Sequence, residues 1–144
     1  MRAKSKATED YSNPWLYQDI IFESEMIEDN YGFVYLITDL ETNKKYIGRK
    51  YFWAMRTPKG KTRRQKSESD WKKYYSSHEE IKTIGKKNPF RYKREILRLC
   101  KGKGETNFME IHEQFHRNVL FSDEYRNDHI NSKWFKKNVI KYKL

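Results

Sequence analysis

The chain has 144 residues, of which 31 are Lys or Arg and 20 are Asp or Glu, so its formal net charge is +11 at pH 7. This length predicts one domain, and no apolar run approaches the ~20 residues of a membrane-spanning helix, which argues against a membrane protein. The N-terminal sequence lacks an apolar signal segment and the lone Cys100 has no internal disulfide partner, so we expect a cytoplasmic protein.

The positive charge is concentrated in the second part of the chain. Residues 56–144 carry 24 basic and 11 acidic side chains, whereas residues 1–55 carry 7 and 9. Such asymmetry, in a chain that is 16% aromatic, is typical of a domain that binds a polyanion. We therefore expect nucleic acid as the partner, with a solvated lysine-rich surface as the alternative.

The chain divides into three predicted regions: an N-terminal arm and short extension at 1–30, a folded domain at 31–128 and a basic tail at 129–144. Residues 1–12 are polar and aperiodic, which predicts disorder. The first clear elements are two runs of β-branched and aromatic residues, 32–38 and 45–51. Because the segment between them is rich in turn-forming residues, they predict a β-hairpin with a loop of about five residues.

The rest of the chain predicts a loop, a helix, a strand and a second helix. Residues 57–70 are basic and lack hydrophobic anchors, so they predict a loop. Ser77 has the capping-box spacing to Glu80 and predicts a helix that ends near Gly85. A third strand is predicted at 90–100 and an amphipathic helix at 107–120. The expected fold class is α+β, with a small three-stranded antiparallel sheet flanked by helices.

The predicted hairpin carries the most informative motif. Its first strand contains Gly32-Phe33-Val34-Tyr35, and its second contains Tyr46-Ile47-Gly48. An isolated pair of strand tyrosines is most often a pair of sheet aromatics. Here the pattern, over about residues 31–128, resembles the GIY-YIG nuclease family. The family's other conserved residues match, in order, Arg56, Glu110 and Asn127.

This resemblance implies a divalent-metal-dependent DNA endonuclease, similar to phage-type members of the family. Glu110 is implied to bind one Mg²⁺ or Mn²⁺ ion, and Arg56, on the first helix after the hairpin, to stabilise the charge of the transition state. Tyr35 is implied to orient or deprotonate the attacking water, with support from Tyr46. Deprotonation near neutral pH would require a lowered pKa, which neighbouring cations could provide. The implied catalytic set is completed by Arg49 and Asn127.

Two features depart from the family pattern and leave alternatives open. Gly60 stands where some members carry a histidine or tyrosine, and Tyr74 or Tyr75 could supply that hydroxyl. Glu113 competes with Glu110 for the metal, although Gln114 and Phe115 follow as in phage-type members, which favours Glu110.

Residues 112–116, His-Glu-Gln-Phe-His, also match the H-E-x-x-H zinc signature. The extended zinc motif requires Gly at 119 and His at 122, where Val119 and Ser122 stand. A zinc protease is therefore a minor alternative.

Further basic side chains are candidates for contact with the DNA backbone, which would give salt-dependent binding without sequence information. They are Lys50, Lys59, Lys61, Arg63, Arg64, Lys72 and Lys73. Since one active site cuts one strand at a time, a double-strand break requires a homodimer, a higher homo-oligomer or sequential nicking. A non-catalytic nucleic-acid-binding module with the same fold is the main functional alternative.

Overall fold

The computed structural model describes residues 11–142, so the predicted disorder of the N-terminal arm lies almost entirely outside the described residues. The strands are β1 Leu16–Tyr17, β2 Ile20–Ile21, β3 Gly32–Asp39, β4 Lys45–Tyr51, β5 Trp53–Arg56, β6 Gln65–Glu68, β7 Tyr92–Cys100, β8 His129–Ile130 and β9 Trp134–Phe135. The α-helices are α1 Glu79–Lys87, α2 Lys103–His116 and α3 Lys136–Val139. No helix among the described residues is long and apolar enough to cross a membrane.

The main sheet has five strands in the order β2-β1-β7-β3-β4. Strand β3 is antiparallel to both of its neighbours, so the predicted three-stranded antiparallel unit is present as β7-β3-β4. The prediction of a three-stranded sheet is nevertheless wrong, because β1 pairs in parallel with β7 and β2 folds back onto β1. Strands of two residues are too short to show a periodicity, and the sequence therefore did not indicate them.

Each face of the sheet is covered by a hydrophobic cluster, because successive residues of a strand point to opposite faces. Phe33 and Tyr35 of β3 face a cluster that includes Trp15, Phe22 and Trp71. On the other face, the buried residues of the second cluster are Val34, Ile47, Cys100, Val119, Leu120, Ile130 and Val139. Residues from the segments assigned to an arm and a tail thus lie in the two cores.

Residues 53–68 form a β-hairpin, where the sequence predicted an unstructured loop from residue 57. Strand β5 pairs with β6 so that Trp53 faces Glu68 and Arg56 faces Gln65. The hairpin gains an anchor from Trp53, since the ammonium group of Lys66 lies 4.5 Å from the centre of its ring. This pairing also contradicts the expectation that Arg56 lies on a helix.

Two helices begin at positions other than those predicted. The N-cap of α1 is His78 rather than Ser77, and its backbone N–H bonds the Ser76 hydroxyl. Helix α2 begins and ends four residues before the predicted range 107–120. Phe115, placed by the sequence in an apolar stripe, is 48% exposed, whereas Glu113 and Gln114 are buried. The buried face of α2 is therefore largely polar, which a search for apolar periodicity cannot detect.

Candidate active site

The site is organised by two residues that face each other across β3 and β4. Tyr35 of β3 pairs with Gly48 of β4, and the phenol ring of Tyr35 lies over the glycine. The Tyr35 side chain is 1% exposed and packs against Trp15, with ring centres 5.2 Å apart. Only a residue without a side chain fits beneath that ring, so the glycine of the second motif makes room for the tyrosine of the first.

A cluster of hydroxyl groups surrounds Tyr35. The rings of Tyr46 and Tyr74 lie 6.4 and 6.0 Å from its ring, centre to centre. The Tyr35 hydroxyl forms hydrogen bonds with the side chains of Tyr74 and Ser76. Tyr46 forms hydrogen bonds with Ser76 and Ser77. The segment before α1 therefore brings three hydroxyl groups to the two tyrosines that the sequence identified.

Burial makes these phenols harder to ionise than ordinary tyrosines, whose pKa is 10.0. It raises the pKa of Tyr35 well above its usual range, and the neighbouring Tyr74 and Tyr46 add to this effect. Burial also raises the pKa of Tyr46, and the nearby Glu110 carboxylate raises it further. The lowered tyrosine pKa that proton abstraction would require is thus not found, and the described residues leave Tyr35 a hydrogen-bond donor.

Glu110 approaches this cluster from α2, which lies on the other face of the sheet. Its carboxylate lies 3.7 Å from the Arg49 guanidinium and accepts a 3.4 Å hydrogen bond from the Gln114 amide. The Glu110 side chain is 19% exposed. Burial raises its pKa, and Arg49 and Gln114 offset that effect only in part. A partly buried carboxylate with incomplete compensation is suited to bind a cation.

Arg49 is held in place by its neighbours on β4 and α2. Its Nε donates to the Asn107 side-chain oxygen at 2.5 Å, and its guanidinium lies 5.5 Å from the centre of the Tyr51 ring. Tyr51 donates to the same Asn107 oxygen at 2.6 Å. Asn107 holds the Nε of the guanidinium, and Glu110 lies beside its NH1 group. The Arg49 side chain is nevertheless 40% exposed, so part of the guanidinium is open to solvent. This arrangement can bind a phosphate.

Arg56 does not join the cluster. It lies at the end of β5, is exposed, and pairs with Gln65 of the neighbouring strand. The cation that the structure brings to Glu110 is Arg49, which the resemblance placed in the catalytic set while it gave the charge-stabilising role to Arg56.

Asn127 lies behind the cluster and supports β4 rather than entering the site. Strand β4 is an outer strand of the sheet, and its free edge is paired by the segment after α2: the Lys45 N–H donates to Glu124 O and the Arg126 N–H to Lys45 O. The Asn127 amide continues this ladder, accepting from the Ile47 N–H at 3.1 Å and donating to Ile47 O at 2.9 Å. Asn127 is 2% exposed, and it fixes the backbone between Tyr46 and Gly48.

The structure separates the two candidate glutamates. Both oxygens of Glu113 are engaged, one by Arg98 at 2.7 Å and the other by Arg117 at 2.9 Å. Burial alone would raise the pKa of Glu113, but these two guanidinium groups bring it below its usual range. Glu110 is the carboxylate that lies beside the tyrosines.

The H-E-x-x-H segment does not form a zinc site. His112 and His116 are exposed and stack on each other, with ring centres 5.8 Å apart, while Glu113 between them points into the protein. Among residues 11–142, no group of three or more His, Cys, Asp or Glu side chains is placed to hold a metal ion. A metal at Glu110 would therefore be held by one protein carboxylate, with water filling its other positions, a pattern that Mg²⁺ tolerates.

The candidate DNA-binding residues lie in three places. Lys50 is ion-paired with Asp70 at 2.7 Å and lies over the Tyr74 ring. Lys72 lies over the rings of Tyr11 and Trp71, and Lys73 is exposed nearby. The others are exposed in the loop that connects β5 and β6: Lys59, Lys61, Arg63 and Arg64.

Sequence reasoning missed several residues of the cluster. Ser76 was not singled out, Ser77 was interpreted only as a helix cap, Gln114 only as a neighbour of the candidate glutamates, and Tyr74 was one of two alternatives. The structure distinguishes that pair: Tyr74 contacts Tyr35, whereas the Tyr75 hydroxyl lies 3.3 Å from the Asn13 amide and donates to Pro89 O at 3.4 Å. The only available signal was the dense run of Tyr and Ser before α1.

A comparison with known protein families finds a match that covers most of the chain. The sequence model of the family described as "Putative endonuclease segE, GIY-YIG domain" matches residues 15–139. Searches of curated proteins and of solved structures found no match.

Proposed function

We propose that this chain, which belongs to the SegE-type GIY-YIG domain family, is an endonuclease that hydrolyses DNA phosphodiester bonds with the help of a divalent metal ion. The observation that carries the proposal is the convergence of Tyr35, Tyr46, Arg49 and Glu110 around Gly48. In that arrangement hydrogen-bond donors, a cation and a carboxylate lie close together along the Tyr46–Arg49 stretch of β4. Phosphodiester hydrolysis needs these groups to orient water and to stabilise negative charge.

The side chains have distinct roles in the proposed reaction. Arg49 binds the non-bridging oxygens of the phosphodiester and stabilises the charge that grows on them. Tyr46, protonated and half-buried, donates a hydrogen bond that orients the water or the phosphate, and the buried Tyr35 acts through the hydroxyl groups of Tyr74 and Ser76. Glu110 would hold Mg²⁺ or Mn²⁺, which when bound supplies Lewis-acid activation of the phosphate and of water. Asn127 holds the β4 backbone at Ile47, between Tyr46 and Arg49, in position.

We assign to Arg49 the charge-stabilising role that the resemblance gave to Arg56. Arg49 lies beside Glu110, whereas Arg56 lies on a different sheet. Replacement of each arginine by glutamine tests the assignment. Arg49→Gln should reduce nicking of supercoiled plasmid by at least ~100-fold, the size expected for loss of one transition-state donor. Arg56→Gln should have a several-fold effect, and the reverse order would return the role to Arg56.

Nicking of supercoiled plasmid also tests the function itself. The wild-type chain should convert plasmid to the nicked form with Mg²⁺ or Mn²⁺ and should not do so with EDTA. Glu110→Gln should abolish nicking. Glu105→Gln is the matched control, since Glu105 is an exposed carboxylate on the same helix whose Oε1 accepts only from the Lys101 N–H. An active Glu110→Gln variant would contradict the metal assignment.

A non-catalytic DNA-binding module is the second candidate. The observations that favour it are the position of Arg56 outside the cluster and the near-complete burial of Tyr35. The same experiment separates the two functions: DNA binding without nicking, across several divalent ions, would support the binding module.

The proposed setting is cytoplasmic, with DNA as the partner. Cleavage of both strands would require a homodimer or two successive nicks by one chain. Direct appearance of linear plasmid, together with a dimeric mass in solution, would support the homodimer, whereas a nicked product that accumulates before the linear one would support sequential nicking.

A further inference from the structure

A cleft of about 410 Å³ lies next to the Glu110 site, between β4, the β5–β6 hairpin and the start of α2. Arg49 belongs to both places, since it contacts Glu110 and also lines the cleft. The other cations of its wall are Lys50, Arg64 and Lys103. A strand of nucleic acid whose phosphate lay at Arg49 would therefore continue directly into this cleft.

The wall of the cleft is rich in cations, although two of them, Arg49 and Lys50, are each paired with a carboxylate outside the wall, Glu110 and Asp70. The wall itself contains no Asp or Glu among the described residues. Lys103 and Arg49 lie 5.7 and 5.5 Å from the centre of the Tyr51 ring, distances at which a cation is attracted to an aromatic face. Such held cations lose less side-chain entropy on binding a phosphate than free lysines do.

Apart from Ser69, the remainder of the wall consists of aromatic and aliphatic side chains, among them Ala54. The largest of these side chains are the rings of Tyr31, Tyr51 and Trp53 and Met55, which is 43% exposed. The outer surface of a DNA duplex offers phosphates and sugars, and its bases are stacked inside. An unpaired base, in contrast, presents an apolar face that packs against aromatic rings, and such stacking contributes about 1–3 kcal/mol per base.

We propose that this cleft binds an unpaired nucleotide adjacent to the phosphodiester that is cleaved. Its cations bind the phosphate and its rings and Met55 pack against the base. The placement beside the cleaved bond rests on the proposed function, whereas the binding itself does not. The substrate class that follows is DNA with a single-stranded, branched or distorted segment at the cleavage position.

The test uses binding by the full chain carrying Glu110→Gln, so that no substrate is consumed. Two fluorescent probes are compared by anisotropy in the presence of Mg²⁺: a ten-nucleotide oligothymidylate and a blunt ten-base-pair duplex. The added variant is Arg64→Glu, in the cleft wall. Its matched control is Arg63→Glu, the neighbouring exposed arginine of the same loop, which does not line the cleft.

For the oligothymidylate, Arg64→Glu should weaken binding about 10-fold, as loss of a charge-assisted contact does, and Arg63→Glu at most about 3-fold. For the duplex, the two variants should differ little. Quenching of tryptophan fluorescence by the oligothymidylate should also be reduced in Trp53→Phe, which keeps an aromatic ring in the wall.

Equal losses of oligothymidylate binding for the two arginine variants would overturn the proposal, because the loop would then act only through its overall charge. A duplex that binds as tightly and shows the same difference between the variants would also overturn it, since the cleft would then bind a backbone. A wild-type chain that cleaves neither supercoiled plasmid nor a branched duplex with Mg²⁺ or Mn²⁺, combined with a selective Arg64 effect, would overturn the proposed function and support the nucleotide site.

Discussion

The phenol ring of Tyr35 occupies the space that a side chain at Gly48 would need. A Cβ built on Gly48 would lie 2.5 Å from Tyr35 Cζ and closer still to the hydroxyl oxygen. Tyr35 is buried against Trp15 and Phe33, so its ring could withdraw only if these neighbours also moved. The two motifs of the hairpin are therefore a single packing unit, and the position of one hydroxyl depends on the absence of one methyl group.

Gly48→Ala should consequently displace Tyr35. We expect the free energy of unfolding to fall by about 1–3 kcal/mol, the usual cost of overpacking, and plasmid nicking to fall with it. Thermal denaturation and the nicking assay measure the two effects. Gly104→Ala is the control, since a Cβ there meets no atom within 4 Å and alanine favours the helix. Wild-type stability and activity in Gly48→Ala would show that the ring is free to move.

Tyr74 and Tyr75 are adjacent in sequence but differ in what their hydroxyl groups contact. Tyr74→Phe removes the hydrogen bond to the Tyr35 hydroxyl. We expect nicking to fall at least ~10-fold and stability by only about 1 kcal/mol, the net contribution of one hydrogen bond. Tyr75→Phe loses only long contacts with Asn13 and Pro89 and should cleave normally. Equal nicking rates in the two variants would exclude Tyr74 from the site.

The sequence predicted the elements whose pattern is long and regular. Strands β3 and β4 have seven or more residues and bear a recognisable motif, so their extent, and with it the positions of Tyr35 and Tyr46, followed from the sequence. The five-residue hairpin loop was predicted for the same reason, and Asp39 in the structure begins it by accepting the Glu41 N–H. These features depend on local interactions, which a sequence records directly.

What the sequence did not predict depends on contacts between distant segments. The family resemblance placed Arg56 on a helix, but strands β5 and β6 pair to make residues 53–68 a second hairpin, in which Lys66 lies over Trp53. The importance of Arg49 arises from Asn107 and Glu110, about sixty residues away. The role of Arg49 therefore depends on which face of α2 packs against the sheet, since that face carries Asn107 and Glu110.

Asn127 should act through the backbone of β4. Asn127→Ala leaves the buried Ile47 N–H without its partner, whereas Ile47 O keeps a 3.1 Å hydrogen bond from Gln114. The expected loss is about 1–3 kcal/mol of unfolding free energy, measured by urea denaturation, with reduced nicking. Arg126→Gln is the control, since its partner Glu80 is exposed and such surface pairs contribute less than about 1 kcal/mol. A variant that keeps full stability but does not nick would instead place Asn127 in contact with the reacting atoms.

Glu110 should lower stability at neutral pH while serving the reaction. Burial raises its pKa above the ordinary value of 4.5, so the folded chain binds this proton more tightly than the unfolded chain does. The ionised carboxylate therefore opposes folding once the pH rises through the folded-state pKa, and this cost disappears below the ordinary pKa. Glu110→Gln should accordingly raise Tm at about pH 7, with a gain that shrinks as the pH approaches about 4.

Ionisation of Asp39 should stabilise the fold, whereas ionisation of Glu110 should destabilise it. Burial alone would raise the pKa of Asp39, but the Arg91 guanidinium and the Glu41 and Thr42 N–H groups bring the pKa to about 2. Its ionised form therefore stabilises the fold above the ordinary pKa, and that contribution is lost as the pH falls toward 2. Asp39→Asn should lower Tm at about pH 7, by an amount that corresponds to roughly 2–3 kcal/mol.

The effect of added Mg²⁺ on the Tm of the protein tests the proposed metal-binding role of Glu110. An ion that binds the ionised carboxylate favours the folded state, so Mg²⁺ should raise the Tm of the wild type at neutral pH and leave that of Glu110→Gln unchanged. Glu105→Gln should respond as the wild type does. If Glu110→Gln is instead the less stable protein at neutral pH, the pairing with Arg49 outweighs burial, and the carboxylate is then a structural partner of that arginine rather than a site prepared for a cation.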